Sequence, residues 1–278
     1  MLLVLLVVVL LCLPGWCFAL ATLICISFAV WEEMHALKTA GHHLVTWPTW
    51  AAMGLSIPLT VLLSQKIMIP LIVAALLAMT VQILFRKEPE LTDLTMSALP
   101  LLTVALPGLA LVTLATIDPY LWRSATAEMP WHAVEVVILS FTFSVPLVGD
   151  ILALFVGKAV GGPKFCPAVS PKKTIAGSVG GLAGSMLAAM AVYFLSLILC
   201  NEATLNLLPT WWQYLALGLL GGFVGQMGDL FASLVKRHCG LKDYSHLFPG
   251  HGGMLDRLDS LLFMSMLMYC FRLFFLTY

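Results

Sequence analysis

Charged side chains are scarce in this sequence, with 14 Lys+Arg and 14 Asp+Glu among 278 residues. A soluble domain carries about 25% charged residues because its surface must face water. At 10% charged, 61% hydrophobic and a mean hydropathy of +1.00, this chain has no such surface. Basic charge is not in excess either, since the formal net charge is zero, and this excludes a nucleic-acid binder relying on clustered Lys and Arg. Long polar blocks are missing as well, which excludes a soluble domain on a single anchor. The cysteines (Cys12, Cys17, Cys25, Cys166, Cys200, Cys239 and Cys270) lack any CxxC pair or dense spacing. They therefore build neither a disulfide framework nor a zinc site and read as small apolar residues.

What the chain has is long apolar runs. Residues 1–31 carry no charge, and Pro14-Gly15 divides them into Met1–Leu13 and Trp16–Trp31. The first piece lacks the basic start of a signal peptide. Further runs lie near 47–64, 67–85, 96–117, 131–157, 175–200, 211–232 and 258–278, each near the ~20 residues that cross a bilayer as a helix. In lipid, every backbone N–H and C=O must be paired within such a segment, so the runs are helices. The expectation is an all-α, polytopic integral membrane protein with eight or nine transmembrane helices. Residues 1–130 form an N-terminal group, and 131–278 hold the chemistry.

Basic residues in short loops are retained on the cytoplasmic side. Loop 158–174 holds Lys158, Lys164, Lys172 and Lys173, and segment 233–257 holds Lys236, Arg237, Lys242 and Arg257. Two spans separate them, so they face one side. Counting back by spans adds Lys38, Arg86 and Lys87, giving 11 of the 14 basic residues, with Lys66, Arg123 and Arg272 elsewhere. The polar chemistry is expected to face the cytoplasm. Glycines cluster at Gly177, Gly180, Gly181 and Gly184 and at Gly218, Gly221, Gly222, Gly225 and Gly228. Their three- and four-residue spacing suits close helix packing in lipid, and no GxxxxGK[ST] phosphate loop is present.

An ionisable group inside a span costs roughly 2.5–3.5 kcal/mol, so those that persist are functional candidates. Asp150 lies within the 131–157 run, while Glu135 sits near its start and has no assigned role. Ser170-Pro171-Lys172-Lys173-Thr174 precedes the next run. Paired lysines at a helix start suit an anionic phosphate and equally suit a positive-inside anchor. The richest stretch contains Asp229, then Ser233-Leu-Val-Lys236-Arg237, Lys242-Asp243 and Pro249-Gly-His251-Gly252-Gly253-Met-Leu-Asp256-Arg257-Leu-Asp259. Asp256 and Asp259 share a helix face. With Asp229 from another helix they can hold Mg²⁺, which takes one or two carboxylates and fills its shell from water and phosphates. Gly252-Gly253 lets the backbone approach a ligand closely. His246 and His251 without HExxH do not make a zinc site.

Ser233 through Asp259, read as S-x-x-K-R-x4-K-D-x-S-x2-F-P-x-H-G-G-M-x-D-R-L-D, resembles the C-terminal signature of the phosphatidate cytidylyltransferase (CDP-diacylglycerol synthase) family, and Asp150 with Ser170–Thr174 resembles its second conserved region. Two positions depart from the family pattern. Asp150 is followed by Ile-Leu-Ala-Leu154, and the usual Thr-Trp-Glu-Gly reads Thr174-Ile-Ala176-Gly177.

The resemblance implies transfer of CMP from CTP to phosphatidic acid, giving CDP-diacylglycerol and pyrophosphate. It implies Mg²⁺ held by Asp229 and Asp256, with Asp259 and Asp150 in support, and catalysis by Asp229, Asp256, Lys236 and Arg257. The substrate site then includes Asp150, Ser170, Lys172, Lys173, Thr174, Lys236, Arg237, Lys242, Asp243, His251, Gly252, Gly253 and Asp259. A homodimer in a bacterial inner membrane, with its site facing the cytoplasm, is also implied. The competing readings are a CTP-dependent kinase or cytidylyltransferase acting on an isoprenoid lipid, and a polytopic transporter. No internal inverted repeat supports the transporter.

Overall fold

The computed structural model describes residues 15–62, 67–115, 133–206, 208–247 and 252–275. Helix α1 (Gly15–Thr39) is followed by α2 (Trp47–Leu62) and α3 (Met68–Leu84), and then by α4 (Leu91–Pro100) and α5 (Leu106–Ala115). A π-helical stretch, Leu101–Ala105, joins the last two. Pro100 stands at the junction, and its missing N–H accounts for the locally altered hydrogen-bond ladder. After α6 (Ala133–Val160) comes a small antiparallel hairpin of β1 (Lys164–Cys166) and β2 (Ser170–Thr174), with Lys164 opposite Thr174 and Cys166 opposite Ser170. Helices α7 (Ile175–Leu199), α8 (Glu202–Leu205), α9 (Trp211–His238) and α10 (Leu255–Phe275) complete the chain.

The predominantly helical membrane architecture is as the sequence predicts, and the β1–β2 hairpin is a departure from it. Five helical stretches among the described residues are long and apolar enough to cross a membrane: Cys17–Thr39, Leu91–Leu114, Val134–Val160, Ile175–Leu199 and Trp211–His238. Helices α2 and α3 are shorter, at 16 and 17 residues. Helix α10 has 21 residues but places Asp256, Arg257 and Asp259 in its first turns. Met1–Leu13, Lys66 and Arg123 lie outside the described residues. Large apolar side chains point outward, including Val73, Leu77, Leu187, Phe194, Ile198, Leu220 and Phe223. Lipid tails are as apolar as these side chains, so in a bilayer such a surface carries no penalty.

The interior is built from two adjoining apolar cores. One joins Ile26, Val30 and Leu37 of α1 to Met79 and Ile83 of α3, Leu101, Val104, Val235 of α9 and Leu262 of α10. The other joins Phe18 and Leu114 to Phe141 and Val145 of α6, Ala189 of α7, Leu217 of α9, and Met264 and Met268 of α10. Helices α9 and α10 belong to both, so the N-terminal helices pack directly on those that carry the signature. The glycine clusters do serve packing. A Cβ at Gly177 would stand 2.8 Å from the Ala153 carbonyl oxygen of α6, a contact that only a bare backbone permits.

The four basic loops meet at one end of the bundle. His42 and His238 approach to 3.0 Å between their Nε2 atoms, and Arg86 donates to the His43 carbonyl at 2.9 Å and to Asp93 at 2.8 Å. Arg237 donates to the Val169 carbonyl of the hairpin at 3.4 Å. Among the described residues, α2 and α3 lie between the first two of these loops, and α7, the short α8 and α9 between the last two.

Candidate active site

The hairpin, the C-terminal half of α9 and the N-terminus of α10 converge at this end. In β2, successive side chains point to opposite faces. Lys172 is therefore exposed, while Lys173 turns inward and pairs with Asp229 of α9 at 2.5 Å. Thr174 is buried and caps α7, its hydroxyl accepting from Gly177 N at 3.1 Å. Ser170, at the start of β2, is half-buried. The Ser170–Thr174 segment thus combines a helix cap, a carboxylate partner and one solvent-facing cation.

A second ion pair forms two turns along α9, where Lys236 donates to Asp256 at 2.6 Å. The other oxygen of Asp256 accepts from Tyr244 N at 3.0 Å and Gly253 N at 2.9 Å. Both members of the pair are largely buried, with side-chain exposures of 11% and 6%. A pair so placed is held by geometry and added hydrogen bonds rather than by screened surface attraction. The Lys236 ammonium also lies 5.6 Å from the centre of the Tyr244 ring. Burial, reinforced by the negative charge of Glu33 and Asp256, pushes the Tyr244 phenol well above its ordinary pKa. The phenol accordingly stays neutral and donates to the Ala232 carbonyl at 3.1 Å.

Asp150 of α6 lies within electrostatic range of Asp229 and Lys173, and Asp259 within range of Asp229, Asp150 and Lys236. The structure therefore brings Asp150, Asp229, Asp256 and Asp259 together with Lys173 and Lys236. Arg237, Lys242 and Arg257 are exposed beside them and Asp243 is half-buried. Arg237 spans from the hairpin to the Leu241 carbonyl, which it reaches at 3.1 Å. Gly252 takes a φ of 83°, a left-handed conformation that favours glycine. His251 lies outside the described residues.

Among the described residues, no three His, Cys, Asp or Glu side chains converge closely enough to enclose a metal. Magnesium needs no such cage, because water and substrate phosphates supply most of its ligands. Two lysines pair with carboxylates here, Lys173 with Asp229 and Lys236 with Asp256. The donor set is all oxygen, as a hard cation requires. In that respect the residues fit magnesium.

Sequence reasoning passed over Glu32 and Glu33 of α1, which are 2% and 1% exposed. Glu33 accepts from the Thr103 hydroxyl at 3.0 Å and, with Thr103, Tyr244 and Asp259, lines a small pocket. Glu32 accepts from the signature loop itself. The available signal was an adjacent pair of acids following 31 uncharged residues.

The phosphatidate cytidylyltransferase of Brucella abortus biovar 1 (strain 9-941) is 43% identical over 131 residues, covering 47% of this chain and 45% of that protein. The phosphatidate cytidylyltransferase of Staphylococcus aureus (strain COL) is 39% identical over 124 residues, 44% of each chain. Each match spans less than half the length of the curated relative. The profile of the cytidylyltransferase family, by contrast, matches residues 1–275. By that whole-length match, the chain belongs to the cytidylyltransferase family.

Proposed function

We propose that the protein transfers CMP from CTP to phosphatidic acid, releasing pyrophosphate and forming CDP-diacylglycerol. A phosphate oxygen of phosphatidic acid bonds to the α-phosphorus of CTP while the bond to the β-phosphate's bridging oxygen breaks. The electron pair leaves with pyrophosphate. The observation that carries this reading is the pairing of Lys173 with Asp229 and of Lys236 with Asp256 at one end of an otherwise apolar bundle. Nucleotidyl transfer asks a protein chiefly for positioning and charge neutralisation.

In this proposal Asp229 and Asp256 hold the magnesium, with Asp259 and Asp150 in support. When bound, the ion polarises phosphoryl oxygens and offsets the charge of the triphosphate. Lys173 and Lys236 orient their acids and lie close enough to share their ammonium groups with phosphate oxygens. Arg257, Arg237, Lys242 and Lys172 supply cations at the outer rim, where a triphosphate enters from water. Ser170, Thr174, Asp243, His251, Gly252 and Gly253 complete the substrate site, with Thr174 fixing the hairpin to α7. The same reading places the basic end at the cytoplasmic face of a bacterial inner membrane, because 11 of the 14 basic residues lie in those loops and reversal would translocate them. A homodimer belongs to the proposal as well.

The test is pyrophosphate release by the purified protein in lipid–detergent micelles with CTP and Mg²⁺. Release is expected with phosphatidic acid, together with CDP-diacylglycerol. No release with phosphatidic acid, or release with an isoprenoid phosphate in its place, overturns the proposal.

A further inference from the structure

Glu32 lies about two turns before the C-terminal end of α1, within a stretch long and apolar enough to cross a membrane. Nothing in its sequence neighbourhood connects it to the signature, which is more than 200 residues away. Yet its Oε1 accepts from the Ser245 hydroxyl at 2.5 Å and from Met254 N at 2.9 Å, and its Oε2 accepts from Leu255 N at 2.8 Å. Leu255 opens α10, so Glu32 satisfies backbone donors that the start of a helix leaves unpaired. It also sets a negative charge at the positive end of that helix.

Asp256 serves the adjoining backbone by accepting from Gly253 N and Tyr244 N. Two carboxylates thus hold four amides, the consecutive Gly253, Met254 and Leu255 and, from earlier in the same loop, Tyr244. Gly253 fits this arrangement, because a Cβ there would stand 2.6 Å from Glu32 Oε2. Any side chain at 253 would push the α1 carboxylate off the loop.

We infer that Glu32 is a positioning residue for the proposed transfer. From α1 it locks the turn that carries Asp256 and Asp259 and so fixes where the signature acids stand. Glu32 bonds to the loop backbone and to Ser245 rather than into the acid cluster, so its effect is transmitted through the orientation of α10. The inference rests on the proposed nucleotidyl transfer for its kinetic consequence, while the latch itself is a matter of structure and is measured separately.

The experiment uses the full chain in detergent micelles. Hydrogen exchange at the Met254 and Leu255 amides, without substrate, is compared between wild type, Glu32→Ala and Gly253→Ala. Exchange at least about tenfold faster in both variants is expected, with the amides of α7 unchanged. In the turnover assay, Glu32→Ala should lower kcat about ten- to hundredfold, the scale of lost charge-assisted hydrogen bonds. KM for CTP should stay within about threefold of wild type. Glu32→Gln keeps one acceptor oxygen and should fall between wild type and Glu32→Ala.

The double variant adds a control for general damage. Gly253→Ala should cost much less in the Glu32→Ala background, because the carboxylate it displaces is already gone. Unchanged exchange at Met254 and Leu255, or fully additive losses in the double variant, overturns the inference. A wild type inert toward every lipid would count against the proposed reaction, and the exchange data would still decide the latch.

Discussion

Lys173 of β2 and Asp229 of α9 meet at 2.5 Å, tying the hairpin to the helix that leads into the signature. Lys172, next to it, is exposed. The two lysines are equivalent in the sequence and distinct in the fold, and their substitutions should differ accordingly. Lys173→Gln should lower kcat/KM about ten- to hundredfold, as expected for a lost charge-assisted contact. Lys172→Gln should act mainly on KM for CTP, and Lys164→Gln should change neither by more than about twofold. Equal effects at all three positions would return the lysines to the role of a topological anchor. Steady-state kinetics at varied CTP decides the matter.

Asp229→Asn should reduce turnover by at least about a hundredfold while the protein still purifies as a folded species, because a carboxylate central to the acid cluster loses its charge. Addition of EDTA should abolish turnover in the wild type and Mg²⁺ should restore it. Titration of rate against free Mg²⁺ provides the check. A variant with near-normal turnover at saturating Mg²⁺ would remove Asp229 from the ion's ligands.

The buried Lys236–Asp256 pair permits a separation of stability from activity. Removing one partner strands a desolvated charge, at a cost of about 3–5 kcal/mol, so Asp256→Leu and Lys236→Met should each lower the thermal midpoint. The double variant should regain only part of that stability: an apolar pair often replaces a buried ion pair without loss, but the Tyr244 and Gly253 amides lose the acceptor that Asp256 supplies. It should remain inactive. Thermal unfolding and turnover of the three variants supply the measurement, and recovery of activity in the double variant would show that the pair is structural alone.

The meeting of four basic loops at one end predicts the membrane topology. Single cysteines placed at 172 and 242 should react with an impermeant thiol reagent from the cytoplasmic side, and one at 205 from the opposite side. Labelling of 172 and 205 from the same side would contradict the path of α7 across the membrane.

The scarcity of charge was enough to read the membrane class and the helical architecture, because apolar runs of that length satisfy their backbones in lipid only as helices. The acids of the signature were legible for the same reason: an ionised group in an apolar chain is costly enough to mark itself. Asp150, Asp229, Asp256 and Asp259 were all picked out, and the structure brings them together. Span number was less legible, since α2 and α3 at 16 and 17 residues fall where length alone does not separate a spanning helix from a shorter one. The role of each lysine was not legible either, because the alternation along β2 that separates Lys172 from Lys173 depends on a hairpin that hydropathy and spacing do not mark.

Glu32 marks the boundary most clearly. Its charge was visible, but its partners at Ser245, Met254 and Leu255 are a tertiary fact. Hydropathy and spacing act along the chain, and through them the sequence by itself determined the class of fold and marked the candidate acids. Only packing of α1 against α10 decided which carboxylate would satisfy the open amides of that turn, because a hydrogen bond is set by distances in space and not by separation in sequence.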